Sequence, residues 1–324
     1  MSNSDGYLHG RPSLLQLLLG CGMLLLGNEV YASEPQYSSD VTQWVEVVEP
    51  PDGADRAAWY FAADYAQLAW RVFLGEDNRP SARLVASANA VSSDQAPFDA
   101  RADGFRGANR FWKVGDGWLV GFNHGEFGAA LYWFDRQGRQ HHKISDDHVV
   151  EFFARPDGTY AIEGMAHMGA SCGSLIRITQ PAAGRHWEAQ RIVRLPYAPT
   201  TLVTRRDGTM LIALSDSLVS VGPDFQVTTL ISHVPWQSLY PASSILTPDE
   251  RYLYLGMRQF VGEIDLDTNT LRLLVPSNDF INRLPADQDE RIRKQYAKGM
   301  GDWRPPADLC ERMEKARREI HPER

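Results

Sequence analysis

An Asp-led turn recurs four times along the chain, at Asp116, Asp157, Asp207 and Asp249, at intervals of 41, 50 and 42 residues. Around each turn the sequence reads as four short strands joined by Gly, Asp, Asn and Pro, over residues 109–144, 149–195, 200–231 and 243–275. The repetition is plainest between residues 121–134 (GFNHGEFGAALYWF) and 164–178 (GMAHMGASCGSLIRI). Both run Gly-x-x-His, a short small-residue loop, then an alternating apolar strand. A lone four-stranded unit leaves both of its apolar faces in water, so such units must stack on one another.

A four-stranded unit repeating every ~40–50 residues is what a propeller blade requires. The run Tyr252-Leu253-Tyr254, with the hairpin IDLDTNT at 264–270, resembles the repeats of secreted β-propeller proteins. The resemblance covers residues 109–275, is weak over 44–90, and implies a fold without an activity. The expected architecture is all-β: a propeller of five to six four-stranded blades over residues 41–278. Its first blade is expected from residues 41–90, with 75–105 an irregular surface insertion. Residues 54–73 fit helix or paired strands equally. Residues 279–324, charged and punctuated by Pro, are expected as a helical C-terminal extension.

The first 32 residues read as a signal peptide. Residues 14–26 are thirteen in number and mostly Leu, too short to span a bilayer, with Arg11 ahead and Val30-Tyr31-Ala32 as cleavage site. Residues 33–40 follow as a polar linker. The tetrad LLGC ending at Cys21 offers lipid anchoring as the alternative, although the apolar run continues past it. The chain is therefore expected to be periplasmic or secreted, monomeric, and free of a transmembrane span once the leader is removed. Its net charge of -8, with no Lys/Arg stripe, argues against nucleic acid as partner. Without the leader two cysteines remain, Cys172 and Cys310, and in an oxidising compartment a disulfide between them is expected; two buried thiols are the alternative.

Aligning the second strands on Gly121, Gly164, Ala213 and Gly256 puts His124, His167, Asp216 and Gln259 in one structural column, with Glu126 and Glu163 beside it. Asp146, Asp147 and His148 fall in a loop leading into the next unit, on the same side. Imidazoles and carboxylates from adjacent units could form a polar ring that contacts a ligand, holds a divalent cation, or pairs as base and acid. The same histidines could instead fix the packing of neighbouring units. His141 and His142 point to opposite faces of one strand and cannot chelate together. Asp265, Asp267 and Asn269 imitate the start of a calcium loop, but Thr270 and Pro276 stand where Gly and Glu are needed. The leading expectation is a protein that binds a small molecule or partner protein on its loop-built face. The alternative is a metal-assisted hydrolase or lyase using the His/Glu/Asp ring, with the cofactor unknown beyond that cation.

Overall fold

The computed structural model describes residues 37–50, 53–86, 94–167, 170–180, 182, 185–281, 283–297 and 310. The expected leader and Cys21, and most of the second C-terminal helix, lie outside the described residues. The first elements are β1 (Val45–Glu46), α1 (Ala54–Phe61), β2 (Leu68–Leu74) and β3 (Pro80–Ala86). Four repeats follow. The first is β4 (Arg110–Lys113), β5 (Gly117–Asn123), β6 (Ala129–Asp135) and β7 (His141–Ser145). The second is β8 (Val149–Arg155), β9 (Gly158–His167), β10 (Ala170–Thr179) and β11 (Glu188–Leu195). The third is β12 (Pro199–Thr204), β13 (Met210–Leu214), β14 (Ser217–Val221) and β15 (Val227–Ser232). The fourth is β16 (Ser243–Leu246), β17 (Tyr252–Gly256), β18 (Val261–Asp265) and β19 (Thr270–Val275), after which comes α2 (Ala286–Ala297).

Each repeat is an antiparallel sheet with its strands in chain order, and β2 and β3 form a two-stranded sheet. Two of the four Asp-led turns are closed by the aspartates themselves: Asp207 Oδ1 accepts from Thr209 N at 2.8 Å, and Asp249 Oδ1 from Arg251 N at 3.2 Å. Gly208 beside the first takes φ 84°, a region closed to most side chains. The calcium-like stretch is likewise a turn, in which Asp265 Oδ1 accepts from Asp267 N at 3.0 Å.

The strand alternation divides each sheet between two neighbours. In β9, Ala161 packs with Leu119 and Leu131 of the sheet before, while Tyr160 and Ile162 pack with Ile212 and Leu214 of the sheet after. In β13, Leu211 and Ala213 turn the other way, to Leu253, Leu255 and Phe260. Tyr254 and Val261 then meet Trp70, Val72 and Ala82 of the β2–β3 sheet. Burial at about 25 cal/mol per Å² thus accrues between units rather than within them.

The recurring glycines permit this stacking. A Cβ on Gly121 would come within 3.0 Å of Val149, at the start of the next sheet; one on Gly164 within 2.7 Å of Pro199; one on Gly256 within 2.3 Å of the Trp70 carbonyl oxygen. Each therefore faces a first strand of another sheet, while Gly164 and Gly256 are also crowded within their own sheets, by Cys172 O and Ser243 Oγ, each at 2.4 Å. Gly256→Ala is expected to destabilise the protein by about 2 kcal/mol, because a backbone oxygen cannot swing aside; a urea midpoint equal to that of the parent would contradict this.

Three expectations change. Val45 and Glu46 pair with β19 of the last sheet, not with a first blade of their own. The ambiguous stretch 54–73 is helix through residue 61 and strand from residue 68. Residues 75–105, expected as an irregular surface insertion, contain β3. Their second part also covers the outer face of the β4–β7 sheet, with Ala100 and Ala102 buried and Phe98 against Phe134, ring centroids 5.6 Å apart. Small residues without periodicity hid that role. The charged C-terminal stretch is helical at α2, which meets α1 through Arg293 and Asp55 and the turn after α1 through Tyr65 Oη, which donates to Gln288 at 3.0 Å.

Candidate functional site

The second strand of each sheet ends beside the start of its first strand. Strand starts and the loops after the second strands therefore share one end of the sheets, the leading end. The registers Arg110↔Gly121, Thr201↔Ala213 and Ser243↔Gly256 keep the expected column, and Gly164 lies one residue past the Val149↔Glu163 pair.

At that end the first strands of the sheets carry a line of polar side chains. Two of these strands are bulged at equivalent places, between Val149 and Glu151 and between Pro199 and Thr201. Bulges re-aim side chains, and here they bring the Glu151 carboxylate onto the next strand. Glu151 Oε2 lies 3.2 Å from Thr201 Oγ1 and 3.2 Å from Leu202 N. Thr201 Oγ1 lies 3.1 Å from Ser244 Oγ, which donates to Leu202 O at 2.7 Å. On the other side, Arg110 donates from Nε to Val150 O and from Nη1 to Asn109 O at 2.6 Å. Thr201 links Glu151 to Ser244 across β8, β12 and β16, whereas Arg110 reaches β8 only through the Val150 carbonyl and acts on Glu151 by its charge.

Arg110, Glu151 and Ser244 keep part of their surface accessible although they sit deep in the molecule; Thr201 is buried. Burial pushes the Glu151 carboxyl up to about 7, outweighing the hydrogen bonds from Leu202 and Thr201 and the Arg110 charge. Burial also draws Arg110 below its ordinary value, against the pull of Glu151. Two hydroxyls must serve three contacts, those of Thr201 with Glu151, Thr201 with Ser244, and Ser244 with Leu202 O. A proton on Glu151 supplies the third donor, and the chain then runs Glu151 to Thr201 to Ser244 to Leu202 O.

The expected ring residues are placed separately. His124 is exposed, its Nε2 2.8 Å from Arg106 O, so it pins the segment before β4 and not a neighbouring sheet. His167 Nε2 lies 2.6 Å from Glu126 Oε2, joining equivalent loops of adjacent sheets. Glu163 is buried and accepts from Ser174 Oγ, which is 3.3 Å from Arg191 Nε, a line across β9, β10 and β11. Asp216 lies 3.7 Å from His233. Gln259 is a buried corner whose carbonyl oxygen accepts from Trp70 Nε1 at 2.9 Å. Asp146 pairs with Lys143, and Asp147 accepts from Ser145 Oγ at 2.6 Å. His148, just ahead of β8, is buried, with Nδ1 3.3 Å from Asn123 Oδ1 at the end of β5. Among the described residues no group of three or more His, Cys, Asp or Glu is placed to hold a metal ion. The residues expected to form one polar ring therefore resolve mostly into separate pairs. Because Glu126 and His167 are each about 40% exposed, His167→Ala is expected to cost less than about 1 kcal/mol in urea unfolding; a loss several times larger would show that the pair holds the two sheets together.

His141 and His142 do diverge, toward Phe134 and Trp133 respectively. Cys172 and Cys310 are joined by a disulfide, with Cα atoms 5.6 Å apart. The residues missed by pattern were Arg110 and Glu151. Glu151 stands between apolar residues in VVEFFAR, which was an available signal; Arg110 opens RFWK, where Lys113 is charged as well.

No family model matches the chain. No curated protein matches it either. Solved structures of β-propeller proteins resemble it at low identity. One is a gluconolactonase from Xanthomonas campestris, 12% identical with a TM-score of 0.38 over 54% of this chain and 60% of that one. Another is virginiamycin B lyase from Staphylococcus aureus, 11% identical with a TM-score of 0.34 over 52% and 55%. The chain thus spans less than two thirds of either neighbour, and a likeness of this size carries no argument about chemistry.

Proposed function

We propose that the chain is an exported β-propeller whose five sheets stand round a common axis, and that it binds a small polar molecule at the leading end of its inner strands. Three observations support the ring: first strands neighbour one another in the order β4, β8, β12, β16, β2; adjacent sheets share apolar layers; and the close approach at Gly256 repeats those at Gly121 and Gly164. The observation that carries the binding reading is the line of polar side chains Arg110, Glu151, Thr201 and Ser244. Charged groups this deep are retained at a stability cost, and functional sites are where such costs gather.

Saturation-transfer NMR of the purified chain against mixed sugars, amino acids, nucleosides and carboxylates tests it. Binders are expected, and their signals should fall in Thr201→Val, which keeps the shape and removes the hydroxyl. A panel without binders, or binders indifferent to Thr201, would overturn the reading. The alternative is acid–base catalysis at the same place, favoured by the near-neutral Glu151 carboxyl. It predicts that a bound compound is consumed over hours and survives in Glu151→Gln. Export is checked by fusing residues 1–36 to a reporter active only outside the cytoplasm.

A further inference from the structure

Resting on that reading, the geometry of the leading end also points to the class of ligand. The groups around Glu151 are of few kinds. From β4 comes the Arg110 guanidinium, whose charge favours the ionised carboxylate. Just ahead of β8, His148 turns to Asn123, while Asp146 and Asp147 are held by Lys143 and Ser145. On β9, Glu163 takes the Ser174 hydroxyl. From β12 and β16 come the hydroxyls of Thr201 and Ser244.

The local charge therefore has two states. With Glu151 ionised, Arg110 and Glu151 offset each other. With Glu151 protonated, the hydroxyl chain has all its donors and, among the described residues, the guanidinium loses the opposite charge that acts on it in a deep site, which is unfavourable. A single negative charge beside Arg110 removes that penalty in the second state and meets a like charge in the first. A planar carboxylate suits a guanidinium and hydroxyl donors better than a neutral polyol does.

We propose that the leading end of the inner strands binds a small monocarboxylate beside Arg110 and that binding places one proton from solvent on Glu151. No bond of the ligand is broken: the proton passes from water to a Glu151 oxygen, and the site plus ligand ends neutral. Burial already holds Glu151 close to neutrality near pH 7, so the proton is accessible there.

Isothermal titration of the purified chain with lactate and acetate, alongside glucose and sorbitol, tests the assignment from pH 6 to 9. The carboxylates should bind, with Kd rising about tenfold per pH unit above pH 7 as the proton becomes scarce. Buffers of different ionisation enthalpy should report uptake approaching one proton per ligand at pH 8. In Glu151→Gln the carboxylates should still bind, with Kd flat across this range, and Arg110→Gln should lose them. Carboxylate binding that ignores pH in the parent chain would overturn the proton coupling, whether or not the Arg110 variant folds. Glucose or sorbitol binding in place of carboxylates would overturn the ligand class but leave the binding reading standing. If no probe binds and the broader NMR panel is also silent, both fall.

Discussion

Glu151→Gln is expected to stabilise the protein at pH 8, by on the order of 3 kcal/mol, and to leave it nearly unchanged at pH 4.5. The sign follows from proton linkage. The folded carboxyl titrates at about 7, above the value of 4.5 it has when freely solvated, so between those limits the folded state holds more protons than the unfolded one. Stability from this residue is thus complete below pH 4.5 and is lost as pH rises through 7. The size follows from about 1.4 kcal/mol for each unit between the two values. Gln keeps an oxygen for Leu202 N and Thr201 and carries no charge to desolvate, so it removes the slope. Urea unfolding of both proteins from pH 4.5 to 8 measures the difference. A difference that stays constant with pH would show that Glu151 is not the proton-holding group. A natural residue that weakens the fold at neutral pH fits selection for something other than stability.

Trp70→Ala should give the largest loss of any single change considered, about 4 kcal/mol. Trp70 is 1% exposed, and it joins parts of the chain that are far apart in sequence. Its backbone N donates to Met257 O at 2.9 Å, and its indole Nε1 donates to Gln259 O at 2.9 Å. Its ring meets Trp44 at 4.6 Å, Tyr37 at 5.1 Å and Phe280 at 5.7 Å between centroids. Truncation therefore opens a cavity where the β2–β3 sheet, the β16–β19 sheet and the residues before β1 come together. Trp70→Phe separates the two contributions: it fills most of the space but leaves the Gln259 carbonyl without its donor, and is expected to cost about 1–2 kcal/mol. Equilibrium urea unfolding with tryptophan fluorescence reads both. An Ala variant within 1 kcal/mol of the parent would mean that these sheets are not held through this residue.

The four repeats were legible because local chemistry alone sets them. Asp207 and Asp249 make their turns within a few residues, and the alternation in β9 and β13 shows on its face that both sides are covered. The column of glycines was legible too, though its cause was not: nothing near Gly256 in sequence announces the Trp70 carbonyl oxygen. The β2–β3 sheet was blurred because Ala-rich α1 runs straight into β2, and helix and strand preferences overlap there. Within the leading end, histidine drew attention to His124 and His167, whose partners are a loop carbonyl and an exposed carboxylate. Glu151 and Arg110 drew none, since a charge in a first strand declares itself only when the neighbouring strand is known. Two bulges, invisible in sequence, aim that charge.

The short strand β1 has a consequence for how this molecule is made. Val45 finds its partner at Val275, on the outermost strand of the last repeat. A chain emerging from the ribosome in order thus holds its first strand unsatisfied until nearly all the rest has been synthesised. The final sheet gains its fifth strand only when the two distant segments meet, so closure comes late and non-locally, a slow step by loop-closure entropy. Until that clasp shuts, the outer edge of β19 stands unpaired.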